Sequence, residues 1–106
     1  MKNAKAIIGS MLLVALVSVI PLLAHSPICN CYNNPDKTVT CEGGFSDGGS
    51  AEGIPIRIVD ARDKVLIEGK MDKKGTFLFQ KPSEDFHVIF DAGQGHVVTI
   101  FAEDIE

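Results

Sequence analysis

From residue 28 to its end the chain is cut by turn-forming residues every eight to ten positions, and the runs between them are short and rich in β-branched and aromatic side chains. Nothing in that span repeats its apolar residues at helical spacing, so strands are the regular structure the pattern allows. Seven runs qualify, at 28–32, 38–42, 54–59, 64–68, 76–80, 86–91 and 96–102. The third alternates as a half-buried strand does, with Ile54, Ile56 and Ile58 on one face and Arg57 on the other. Seven short strands in about 75 residues predict an all-β fold, a small seven-stranded Ig-like β-sandwich.

Two connections carry their own mechanics. In Asp72-Lys73-Lys74-Gly75-Thr76-Phe77 the aspartate can cap the turn, Gly75 can take positive φ, and Phe77 enters the core two residues later. Asp91-Ala92-Gly93-Gln94-Gly95-His96 links two hydrophobic strands through paired glycines. The 43–53 segment, rich in glycine and serine, has no helix behind it, so its glycines serve turns and not a phosphate cradle.

The first 24 residues read as an export leader. Lys2 and Lys5 precede an uncharged stretch from Ala6 to Ala24 with an apolar run at 11–17, and Pro21 breaks that stretch shortly before the small residue Ala24. A stretch of this length can also stay in the bilayer as a signal-anchor helix. Under both readings the two lysines stay inside and the rest of the chain faces out, which makes it extracytoplasmic, either secreted or anchored through its leader. The expected organisation is a signal peptide or signal-anchor helix at 1–24 and a β-sandwich domain at 25–106.

The leader takes two of the ten basic residues and none of the fourteen acidic ones. Eight basic against fourteen acidic side chains remain, a formal charge of −6 on residues 25–106. Such a balance argues against nucleic-acid or anionic-membrane binding, which need a clustered basic face. Membrane association is expected only through a retained leader.

His25, Cys29, Cys31 and Cys41 crowd the front of the exported domain. Cys29 and Cys31 share a face of the first expected strand, and the turn at 33–36 brings Cys41 opposite one of them. A disulfide from Cys41 to Cys29 or to Cys31 is therefore reasonable outside the cytoplasm, and the odd cysteine is left as a metal ligand, an intermolecular bridge or a free thiol. Cleavage after Ala24 would give His25 an α-amine beside its imidazole, a nitrogen pair suited to nickel or copper(II). His87 and His96 flank the last hairpin, and if it is tight they approach across it, with Asp91 as an oxygen ligand.

Three segments carry a resemblance: Gly44-Phe45-Ser46-Asp47-Gly48 with the Ile-rich strand after it, the stretch from Leu66 to Phe77, and Asp91-Ala92-Gly93-Gln94-Gly95-His96. With the histidine after the leader, the chain resembles carboxypeptidase-regulatory-like or prealbumin-like sandwiches. More narrowly, it resembles the small extracytoplasmic accessory component, often called NikL, of energy-coupling-factor nickel or cobalt transporters. The resemblance implies membrane transporter subunits as partners, Ni(2+) or Co(2+) as the ion handled, and metal ligands among His25, His96, Cys29, Cys31, Cys41, His87 and Asp91. A non-metal structural or protein-interaction module of the same class is the alternative.

An enzyme is not expected. There is no Ser-His-Asp order with a nucleophile turn, and no cysteine stands with a partner at a known catalytic spacing. A mature N-terminal histidine also occurs in copper oxygenases, where a second histidine completes a brace, but this chain is short for one and poor in aromatic residues for a polymer-binding face.

Overall fold

The computed structural model describes residues 25–106, so the expected leader and its helix lie outside the described residues. Seven strands follow in order: β1 (Pro27–Asn33), β2 (Thr38–Phe45), β3 (Pro55–Asp60), β4 (Val65–Lys70), β5 (Thr76–Gln80), β6 (Phe86–Asp91) and β7 (Val97–Phe101), with a 3-10 turn at Ala102–Asp104. They form a three-stranded sheet, β1-β2-β5, and a four-stranded sheet, β4-β3-β6-β7, with every pairing antiparallel. Val39, Cys41 and Phe79 from the first sheet share one core with Ile56, Ile58, Val88 and Phe90 from the second. The all-β, sandwich-like architecture expected from the turn spacing is thus present. No helix among the described residues is long and apolar enough to cross a membrane.

β5 and β6 have the expected bounds, because Gly75 and the 81–85 segment punctuate them locally. β2 does not. It runs on through Gly43 and Gly44 to Phe45, pairing Cys29 with Gly43 and Pro27 with Phe45. Gly43 is needed there for space: a Cβ on it would lie 2.6 Å from Cε2 of Phe90, so the two sheets approach each other through this missing side chain. In β3, Ile56 and Ile58 are buried as the alternation requires, and a register shift at Ile58/Val59 turns Val59 inward as well.

Asp72 caps its turn as the sequence suggests, accepting from the backbone N–H of Lys74 and of Thr76 at 2.9 Å each and from the Thr76 hydroxyl at 2.7 Å, with Gly75 at φ 73°. Asp60 accepts from the N–H of Lys64 and of Arg62, both at 2.9 Å, and Asp36 from the hydroxyl and N–H of Thr38. These bonds favour the ionised form and hold all three carboxyls below the ordinary carboxylate range. A folded-state pKa below the unfolded one gives stability that is present above the unfolded value, near 4, and is lost as pH falls through the folded value. The urea midpoint is therefore expected to hold from pH ~7 to ~5 and to drop steeply below pH ~4. A midpoint that stays level into strong acid would show that these caps add nothing to the fold.

Candidate functional site

The β1–β2 register pairs Pro27 with Phe45 and Cys31 with Cys41. Continued beyond the strand, the same register sets Ser26 opposite Ser46 and His25 opposite Asp47. The contacts follow it: the Ser46 N–H donates to the Ser26 carbonyl at 2.9 Å, and the Ser26 N–H donates to Oγ of Ser46 at 3.1 Å. His25 Nδ1 lies 2.5 Å from Oδ2 of Asp47. The other carboxylate oxygen of Asp47 accepts from the Gly49 N–H at 3.0 Å, which fixes the side chain at both oxygens.

At the same end of the molecule, the β6–β7 hairpin brings Ala92 and His96 to the 45–49 turn. His25, Phe45, Asp47, Gly49, Ala92 and His96 line an open concavity of about 370 Å3. The hairpin is closed by the Ala92 N–H donating to the His96 carbonyl at 3.0 Å and the His96 N–H donating to the Gly93 carbonyl at 2.9 Å, with Gly93 and Gly95 at positive φ. Nδ1 of His96 sits 3.2 Å from the Gln94 carbonyl. Two histidines 71 residues apart in sequence thus share one surface concavity with a carboxylate. Among the described residues, however, no three His, Cys, Asp or Glu side chains come together as a set able to hold a metal ion.

The remaining expected ligands lie elsewhere or are committed. Cys31 and Cys41 form a disulfide, with Cα atoms 4.0 Å apart, so neither has a thiolate to offer. This selects one of the two expected pairings, because Cys31 stands directly opposite Cys41 whereas Cys29 faces Gly43. Cys29 is a free thiol buried in the core, and burial pushes its pKa up to about 11, which keeps it protonated at neutral pH. A bridge of this kind is consistent with an oxidising, extracytoplasmic environment.

His87 and His96 do not approach across the hairpin. His87 pairs with Phe101 and Asp91 with Val97, so His87 stands at the far end of the strand pair, four residues and roughly 13 Å from Asp91. There its Nε2 meets Oδ1 of Asp63 at 3.4 Å, and its ring packs 5.6 Å from that of Phe101. Asp91 is a brace and not a free ligand: Oδ2 takes Nη1 of Arg57 at 3.1 Å and Oδ1 takes the Gly93 N–H at 3.0 Å. The Arg57 bond, then the Gly93 bond, hold its carboxyl below the ordinary range.

Asp47 is the site residue that sequence reasoning passed over, having read its segment as a turn. The signal was nonetheless present, since the register that joins Cys31 to Cys41 also places Asp47 opposite His25. Comparison with protein-family models, curated proteins and solved structures finds no match to this chain.

Proposed function

We propose that the chain is an exported accessory component of a nickel or cobalt uptake transporter, holding the ion transiently at the His25–His96 concavity or docking there on the transporter's outer face. The observation that carries this reading is the convergence of His25, Asp47 and His96 on one open surface. Imidazole donors suit a first-row divalent ion, and the net charge of −6 on residues 25–106 attracts cations in general. Two imidazoles without a third assembled donor among the described residues fit weak, reversible binding, with the other positions supplied by water, by the α-amine of a processed His25, or by a transporter subunit. The disulfide supports a place outside the cytoplasm. The sandwich-like pairing of a three- and a four-stranded sheet supports the prealbumin-like, carboxypeptidase-regulatory-like class.

That no three-donor set assembles among the described residues also suits a second reading, a metal-free structural or protein-interaction module of the same class. Native mass spectrometry of the exported protein with one equivalent of nickel(II) separates the two. On the metal reading the wild type carries one nickel, and His25→Ala and His96→Ala each weaken binding by more than about tenfold, since loss of a merely supporting group already costs that much. His87→Ala leaves binding unchanged. A wild type that stays metal-free, or histidine variants that bind as it does, would remove the metal role and leave the interaction module.

A further inference from the structure

The two histidines at the concavity are held in the same way, by the same ring nitrogen. Nδ1 of His96 faces the Gln94 carbonyl at 3.2 Å, and a carbonyl can only accept, so Nδ1 is the atom that carries the proton in the neutral ring. Nδ1 of His25 faces Oδ2 of Asp47 at 2.5 Å, and an ionised carboxylate likewise only accepts. In both rings this leaves Nε2 as the lone-pair nitrogen. His87, at the opposite end of the molecule, is engaged through Nε2 instead.

We infer that Asp47 and the Gln94 carbonyl are positioning groups that lock His25 and His96 as Nδ1–H tautomers, so that the concavity offers two Nε2 lone pairs to one divalent first-row cation. The inference rests on the proposed metal role and adds to it the residue that orients the ligand. A second ring nitrogen bonded to a carboxylate or a backbone carbonyl is the usual support of a metal-binding imidazole, because it fixes the ring and raises its basicity. Asp47 is well placed for this, since its Oδ1 is pinned by the Gly49 N–H at 3.0 Å and Oδ2 is thereby aimed at His25.

Asp47→Asn is the informative variant because it is nearly isosteric. The Gly49 N–H needs an acceptor, so the amide oxygen keeps that place and the NH2 group takes the position of Oδ2. An NH2 group can only donate, which makes Nδ1 of His25 the acceptor and moves the ring proton to Nε2. The imidazole tautomers are read from two-bond 1H–15N spectra of the metal-free protein at pH ~8. Nickel(II) affinity is then measured by calorimetry on the same samples.

The wild type is expected to show the Nδ1–H form at His25 and His96. Asp47→Asn is expected to switch His25 alone to the Nε2–H form and to weaken nickel binding by about 10- to 100-fold. An Nε2–H form at His25 or His96 in the wild type would overturn the inference, whether or not any variant folds. So would a switched tautomer with undiminished nickel affinity. If the wild type shows both Nδ1–H forms and yet binds no nickel, the tautomer lock stands and the metal reading fails.

Discussion

Phe90→Ala is expected to cost about 3–5 kcal/mol, the usual range for truncating a fully buried phenylalanine. Phe90 lies on β6, one of the two inner strands of the four-stranded sheet, paired with Ile56 on one side and Val98 on the other. Its ring crosses to the other sheet and fills the space over Gly43, where an added Cβ would meet it at 2.6 Å. Truncation therefore removes contact between the sheets and opens a cavity that the strand backbones cannot close. A domain of this size has about 4–12 kcal/mol in total, so a large share of its stability goes with the ring. Urea unfolding followed by circular dichroism measures this, and a loss below about 1 kcal/mol would show that the sheets are not joined through Phe90. Gly43→Ala attacks the same junction from the other side by overpacking it, at about 1–3 kcal/mol.

Reducing the Cys31–Cys41 bridge is expected to lower Tm by about 10–20 °C. The bridge spans a sequence separation of 10 and joins residues directly opposite each other on β1 and β2. Releasing so short a loop in the unfolded chain costs roughly 2–3 kcal/mol in the chain-entropy account. Each kcal/mol is worth about 4–8 °C in a domain of 60–100 residues. Comparing the same protein with and without reductant keeps every side chain in place, so no cavity confuses the reading. Equal melting temperatures would mean that the bridge does not constrain the unfolded chain. β1 is also an edge strand that carries His25 at its entry, so the reduced protein is expected to lose order first at the concavity.

Much of the architecture was legible because it is written in local chemistry. The caps at Asp72 and the glycine at 75 stop and start strands through bonds made within four residues, and any chain with those side chains in that order turns there. Errors arose where a residue answers to something distant. Gly43 and Gly44 look like loop residues, yet Gly43 is a strand residue whose missing side chain makes room for a ring 47 positions later. His87, Asp91 and His96 lie close in sequence, but a strand carries its ends apart, and the register sets His87 beside Phe101 instead.

The cysteines show where the boundary falls. Spacing alone allowed Cys41 to join Cys29 or Cys31, since both lie on the same face of one strand. Pairing register decides between them, and that one choice also sets His25 opposite Asp47. By itself, then, the sequence determined seven strands, the turns between them and the acidic charge balance, because each rests on residue type and short-range geometry. The tertiary structure alone decided which cysteines pair, that His25 and His96 share a surface while His87 does not, and that Asp47 holds one of them. Those facts depend on strand register and on one sheet packing over the other, and neither is encoded within any single turn or strand.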